Sequence, residues 1–192
     1  MWQNNTPHTK ICQPRQAQSE SRYTFIPFQS TPEESALITQ TSTQNTRISR
    51  PFIIGSEAWP LEAKNRLPTT PPDHTKGWRV YVRAPPGQPN ISSWLKKVQF
   101  KIYHTYSNPS RLVDGPGPFE IEETGWGGFN IEIRLFFAPE VGSKPEYRSH
   151  FLQLEPYGSE ELQKRQAEEG MVRSEFLEYV EFNEPTEGLW RF

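Results

Sequence analysis

Three of the four histidines of this chain are the residues whose type most readily suggests metal binding or acid–base chemistry. His74, His104 and His150 come from separate segments, no two of them stand at the spacing of paired metal ligands, and no cysteine lies near them. Cys12 is the only cysteine, which excludes internal disulfides and thiolate zinc sites and is typical of a reducing compartment. The histidines therefore predict neither a metal centre nor a cofactor.

Motifs of the common hydrolases and nucleotide-binding enzymes are missing as well. The chain contains no G-x-S-x-G elbow, no P-loop and no H-E-x-x-H pair. Its carboxylates are plentiful, but clusters of them on strands usually form solvated faces. We therefore expect a protein that is not an enzyme.

Aromatic residues in two short strings are the remaining candidates for a site. The strings HTYSNP (104–109) and GWGGF (125–129) combine aromatic residues with small or turn-forming ones. Taken alone, Trp126 and Phe129 would be interpreted as packing residues at the end of a core, and Thr105 as a turn residue. Residue type alone favours packing over binding here.

The composition bounds the fold that must position these residues. A chain of 192 residues suits one domain with extensions. Nineteen prolines and twelve glycines interrupt long helices, whereas an aromatic content of 13% supplies the bulk of an all-β core. About half of residues 1–50 are Ser, Thr, Gln or Asn, which predicts a disordered polar extension over residues 1–46. No window of about 18 apolar residues is present, so no membrane partner is expected.

The charge distribution favours a basic partner over a nucleic acid. A formal net charge of −2 provides no basic field for phosphates, so direct sequence-specific nucleic-acid binding is not expected. From Phe151 onward, ten acidic residues stand against four basic ones.

Alternating apolar residues predict six or seven short strands separated by Gly/Pro turns. This pattern favours an all-β fold, an immunoglobulin-like antiparallel β-sandwich. The charged segment 158–170 is interpreted as one or two helical turns or a solvated loop. The predicted strands lie at 50–55, 78–82, 95–102, 119–121, 131–137, 151–154 and 176–182.

Four strings, in order along the chain, resemble the YEATS domain family. They are RPFIIGSEAWPL (50–61), HTKGWRVYVRAP (74–85), KKVQFKIYHTYSNPSRLV (96–113) and ETGWGGFNIEIRLFF (123–137), and FNEPTE (182–187) closes the region. The resemblance implies a YEATS domain over residues 47–187, with end loops that read acylated lysine on histone tails. It is greatest to the YEATS subunit shared by histone-variant-exchange remodelling and histone acetyltransferase complexes.

The resemblance also implies the residues of an acyl-lysine pocket. Thr105 would hydrogen-bond the acyl amide, and Tyr106 would form one aromatic wall. Trp126 would form the opposing wall, and its backbone N–H would meet the acyl carbonyl. The supporting positions are Phe129 behind the slot, His74 at the rim, and Gly125 and Gly127, which would permit a tight loop.

Such a slot suits a neutral amide, because acylation removes the ammonium charge and leaves a flat group with a small apolar tail. Stacking adds about 0.5–1.5 kcal/mol and each hydrogen bond about 1 kcal/mol, so we expect dissociation constants on the order of micromolar to hundreds of micromolar. A cation–π cage for methyl-lysine is the competing use of two aromatics. Neither TYSNP nor GWGGF contains a carboxylate for it, and Glu122 and Glu123 are expected to point away.

Three features depart from the family pattern. Tyr103 stands where a histidine is usual, with His104 beside it, and Lys76 replaces the second histidine of an HTH string. The coiled coil that often follows FNEP is absent from the C-terminal end at 188–192.

The resulting hypothesis is a non-catalytic histone acyl-lysine reader for acetyl or crotonyl groups. The resemblance implies partners among the subunits of chromatin remodelling and histone acetyltransferase complexes, a nuclear location, and roles in transcription regulation and DNA repair. The alternative is a scaffold subunit of the same fold whose pocket no longer reads acyl-lysine.

Overall fold

A computed structural model describes residues 47–183 of the chain. The predicted extension at 1–46 and C-terminal end at 188–192 lie outside the described residues, as do residues 184–187 of the predicted domain. The elements are β1 (Arg47–Pro60), β2 (Lys76–Arg83), β3 (Leu95–Lys101), β4 (Ser110–Asp114), β5 (Phe119–Gly125), β6 (Asn130–Phe137), β7 (Glu146–Phe151), α1 (Glu160–Glu169) and β8 (Val172–Asn183), with 3₁₀ turns at Ile91–Ser93 and Pro139–Val141.

The strands form two four-stranded antiparallel sheets. One has the order β5-β2-β1-β8 and the other β4-β3-β6-β7. The predicted all-β, immunoglobulin-like sandwich is therefore confirmed. Within residues 47–183, no helix is long and apolar enough to cross a membrane.

The core lies between the inward faces of the two sheets. Phe52, Trp78, Phe100 and Phe182 are fully buried there, on the strand faces that point between the sheets. Trp94 packs its ring edge-on to Phe52 and Phe182, with centroids 6.0 Å from each. Burying each such side chain stabilises the fold by about 1.5–3 kcal/mol. These large aromatic side chains fill the core even though only 33% of the residues are hydrophobic.

The first and last strands are longer than predicted, and two other strand predictions failed. β4 was missed, because Leu112 is 51% exposed and Val113 only half-buried, so this edge strand has almost no buried face. β7 lies at Glu146–Phe151, earlier in the chain than predicted. The sequence pattern did not reveal it, because most of its residues are polar or exposed. Leu152 and Leu154, which suggested a strand, are buried in the loop that follows β7.

A buried ion cluster occupies the outer face of the first sheet. Glu57, which is 7% exposed, accepts hydrogen bonds from Arg79 at 2.7 Å and Arg173 at 2.9 Å. Burial by itself raises the pKa of Glu57, but the two guanidinium groups outweigh it and hold the pKa below its ordinary value. The pairing explains how a carboxylate is tolerated within a buried strand.

Strand direction brings several loops to one end of the sandwich. β1, β3 and β5 end there, whereas β2, β4 and β6 begin there. This follows from the antiparallel pairing of β1 with β2, β2 with β5, β3 with β4 and β3 with β6. The loops at this end span 61–75, 102–109 and 126–129.

Candidate functional site

A cavity of about 1060 Å³ opens at this end of the sandwich. All seven residues singled out from the sequence line it: His74, Thr105, Tyr106, Gly125, Trp126, Gly127 and Phe129. The structure thus brings the loops 102–109 and 126–129 together with the start of β2. The role of each residue stays a prediction.

Tyr106 is fixed in place from several sides. Its backbone N–H donates to Tyr103 O at 3.1 Å, closing a turn. Its hydroxyl donates to Thr124 O at 3.0 Å and accepts from Trp78 Nε1 at 3.3 Å. The ring lies 5.9 Å from Trp78, edge-on, and 5.8 Å from Phe129. Burial raises the pKa of Tyr106, so the wall is a neutral phenol in a defined orientation.

Gly125 makes room for that phenol. A Cβ at Gly125 would lie 2.6 Å from Tyr106 Oη and 3.4 Å from Trp78 Nε1. Neither Gly125 nor Gly127 has a positive φ, so glycine is required at residue 125 by this close contact and not by its backbone conformation. A Cβ at Gly127 would meet open space, so that residue leaves the cavity mouth unobstructed.

Gly128 is a supporting residue that the sequence analysis missed. A Cβ there would lie 2.5 Å from Leu152 O, and Leu152 N donates to Phe129 O at 2.9 Å. The close approach ties the loop 126–129 to the segment after β7. The paired glycines of GWGGF were the available signal, since close backbone contacts select glycine.

His74 lies at the rim, as the resemblance implied. Its Nδ1 is 2.7 Å from Thr124 Oγ1, and its ring centroid is 6.5 Å from that of Tyr106. Arg66 donates to the carbonyl oxygens of His74 and Pro71, which holds the loop 61–75 against the cavity. Thr124 therefore contacts His74 through its hydroxyl and Tyr106 through its backbone carbonyl. The sequence pattern alone did not suggest this role.

Two groups in the cavity have hydrogen-bonding capacity to spare. Thr105 is exposed within its turn, and its hydroxyl bonds to no other residue in the range 47–183. Trp126 is 69% exposed, with no aromatic ring packed against it among the described residues. Its backbone N–H likewise has no acceptor in that part of the chain. A hydroxyl, an N–H donor and an indole face are thus available to a ligand.

Two carboxylate residues of β5 lie near the cavity. Glu122 and Glu123 both border it, and alternation along β5 gives them ion-pair partners on different sheets, Arg79 and Arg111. Arg111 pairs with Glu123, whereas Glu122 lies 3.6 Å from Arg79, which it shares with Glu57 and Glu120. Asp73 at the rim is exposed and has no ion pair within residues 47–183, which leaves it free to meet a cation.

Tyr103 also lines the cavity, at the position where the family pattern has histidine. It is 49% exposed, and its ring lies 5.9 Å from Phe129 and 4.4 Å from His104. His150 is elsewhere, buried beside Ser56. The three histidines are thus placed in different environments.

Comparison with known proteins identifies the family. The YEATS family profile matches residues 73–156. The protein AF-9 homolog of Schizosaccharomyces pombe is 44% identical over 153 residues, which cover 79% of this chain and 68% of that protein. The chain belongs to the YEATS family.

Other YEATS proteins extend the comparison. The AF-9 homolog of Emericella nidulans is 44% identical over 145 residues, covering 76% of this chain and 52% of that protein. This chain therefore spans between about half and two thirds of these relatives' lengths. The crystal structure of the Yaf9 YEATS domain bound to H3K27ac has a TM-score of 0.65 and 36% identity, covering 77% of this chain and 94% of that one. The Yaf9 YEATS domain recognising an H3K122suc peptide has a TM-score of 0.62 and 34% identity, with the same coverage.

Proposed function

We propose that this YEATS domain binds acylated lysine on histone tails and acts as a reader, without catalysing a reaction. The observation that carries the proposal is one cavity in which Tyr106 is locked while the Thr105 hydroxyl and the Trp126 N–H have no partner in the described chain. Relatives add support, since Yaf9 is bound to H3K27ac in one structure and recognises H3K122suc in another.

The acyl amide would lie between the phenol of Tyr106 and the indole of Trp126. Its N–H would donate to Thr105 Oγ1, and its carbonyl would accept from the Trp126 N–H. Phe129 would close the back of the slot, and His74, oriented by Thr124, would close the rim. The acyl tail would occupy the remaining cavity volume.

Unmodified lysine is disfavoured by the same geometry. Its ammonium would have to leave water, and the two glutamates that border the cavity already face Arg79 and Arg111. Exposed Asp73 suits a basic residue that flanks the acyl-lysine, because it stays at the rim in water. Selectivity then comes from the slot, and general attraction to basic tails from the rim.

The broader setting of this proposal follows from the motif resemblance. We place the reader in the nucleus, as a subunit of chromatin remodelling and histone acetyltransferase complexes that acts in transcription regulation and DNA repair. Immunoprecipitation of the full-length protein followed by identification of its partners tests this setting. If the precipitated protein carries no subunit of either complex, the proposed setting is contradicted.

Titration calorimetry with histone H3 peptides tests the reader itself. We expect acetylated and crotonylated peptides to bind at least about tenfold more tightly than the unmodified peptide. Trp126→Ala removes one wall and should weaken acyl-peptide binding by about tenfold or more, a loss of about 1.4 kcal/mol. Tyr147→Ala, at an aromatic that is 63% exposed on another surface, is the matched control and should bind normally.

Equal binding of acylated and unmodified peptides would overturn the reader proposal. Undetectable binding of every peptide by the folded protein would favour the scaffold alternative, for which Tyr103 in the histidine position is the motivating observation.

A further inference from the structure

The outer edge of β8 is a long, regular strand edge without a strand partner. β8 pairs with β1 over all twelve of its residues without a register shift, and it is the last strand of its sheet. It contains no proline. Proteins usually protect such an edge with a proline, a bulge or a covering element, because free backbone groups attract other strands.

Two side chains cap the ends of this edge. Tyr157 Oη donates to Arg173 O at 3.0 Å, and Arg148 donates to Tyr179 O at 3.2 Å. Alternate residues of an antiparallel strand direct their N–H and C=O groups to the same side. Glu175 and Leu177 therefore direct theirs to the open edge, where no backbone partner exists among residues 47–183.

Apolar side chains flank this gap on both faces of the sheet. Phe176 lies on the inward face, beside His150 at a ring distance of 5.9 Å, and is 58% exposed. Leu177 and Tyr179 lie on the outward face and are 55% and 54% exposed. A partner resting on one face would cover only one set, whereas an added strand would cover both. The gap and the flanking residues thus point to strand addition.

The negative charge of β8 favours one kind of segment at its open edge. From Ser174 to Asn183, β8 carries three glutamates and no basic residue. Glu175 is paired with Arg83, and Glu181 lies 4.0 Å from Arg47. Glu178 must share Arg148 with Glu146, at 3.4 and 2.7 Å respectively, so the edge keeps surplus negative charge there, which favours a segment with basic side chains.

We propose that the open edge of β8 binds an extended segment of a partner protein in which apolar residues alternate with Lys or Arg. The segment adds as a fifth strand beside Glu175 and Leu177. Its apolar side chains cover Leu177 and Tyr179 on the outward face, and its basic side chains lie on the inward face, where they meet Glu178. This site is separate from the acyl-lysine cavity and does not depend on the proposed reader function.

A short capped peptide of alternating lysine and valine is the probe, and an alternating glutamate and valine peptide is its control. Using the isotope-labelled full chain, we expect the lysine peptide to shift the amide signals of Glu175 and Leu177 and to slow their hydrogen exchange. The signals of Thr105 and Trp126 should not change. The glutamate peptide should have no effect.

Substitutions at Leu177 separate strand addition from loose charge attraction. Leu177→Pro removes a backbone N–H that points to the open edge and does not bond to β1. It should weaken peptide binding by about tenfold or more. Leu177→Lys, which tests the site if the proline variant fails to fold, should weaken it similarly. Leu112→Lys on β4, at an equally exposed leucine, is the matched control and should bind normally.

Four results would overturn the proposal: no binding of the lysine peptide at millimolar concentration, equal binding of both peptides, protection at a strand other than β8, or unchanged binding by both Leu177 variants. Peptide-free, concentration-dependent shifts at Glu175 and Leu177 would assign the edge to a second copy of this chain and would also overturn it.

Discussion

At the scale of single residues, the candidate site depends on small supporting groups as much as on its aromatic walls. The Tyr106 hydroxyl has room only because residue 125 lacks a side chain, and its two hydrogen bonds fix the ring plane. The indole of Trp126, by contrast, has no such support among the described residues. One wall is preorganised, and the other is free to adjust to the ligand.

Gly125→Ala should therefore damage both binding and stability. The new methyl group would lie 2.6 Å from Tyr106 Oη and displace the hydroxyl from Thr124 O and Trp78 Nε1. We expect a loss of about 1–3 kcal/mol in unfolding free energy, the usual effect of overpacking, and at least about tenfold weaker acyl-peptide binding. Denaturant unfolding and calorimetry measure the two quantities.

The neighbouring glycine provides the control for that experiment. Gly127→Ala meets open space and requires no positive φ, so its stability should change by less than about 0.5 kcal/mol. Tyr106→Phe combined with Gly125→Ala removes the clashing oxygen and should recover part of the lost stability. Equal effects of the two alanine variants would contradict the steric explanation.

At the scale of elements, sequence periodicity predicted most strands because it records which face of a strand is buried. Trp78, Val80 and Val82 alternate because β2 packs one face on the core, and this signal is purely local. β4 has almost no buried face and gave no such signal. The motif resemblance located the cavity residues, but the contacts of Thr124 and Gly128 depend on strand register and loop closure. Local pattern does not encode which distant segment becomes a neighbour.

His150, on β7, makes the stability of the fold depend on pH. Burial lowers its pKa to about 4, from about 6.5 when unfolded, and the neutral ring bonds to Ser56 Oγ at 2.8 Å. Between these values the unfolded chain binds a proton that the folded chain excludes. The contribution of His150 to stability is thus present above about pH 6.5 and is lost as the pH falls toward 4, by about 3 kcal/mol in total.

Unfolding curves of the wild type and His150→Gln over this pH range measure that loss. The variant should lose less stability than the wild type between about pH 6.5 and 4, since it has no ring to protonate. His104→Gln, a substitution at an exposed position, controls for the general effect of replacing a histidine. Identical pH slopes for wild type and His150→Gln would show that this histidine does not control acid stability.

At the scale of the whole molecule, ligand binding and folding are linked because the cavity exists only when both sheets are assembled. Tyr106 lies on the β3–β4 connection within the second sheet, whereas Trp126 lies on the β5–β6 connection, which crosses from the first sheet to the second. An unfolded chain cannot present Tyr106 and Trp126 together. Acyl-lysine should therefore bind the native state alone and stabilise the entire sandwich.

Bound peptide should raise the thermal midpoint by an amount set by the ratio of free peptide concentration to the dissociation constant. At ten times the dissociation constant, acetylated peptide should add about 1.4 kcal/mol of unfolding free energy, or roughly 3–6 °C for a domain of this size. Scanning calorimetry with acetylated and unmodified peptides at equal concentration gives the comparison. Trp126→Ala should reduce the added stability to about 0.4 kcal/mol or less at the same peptide concentration, whereas Tyr147→Ala should keep the full difference. A rise of equal size with unmodified peptide would mean that the acyl group is not what the folded protein recognises.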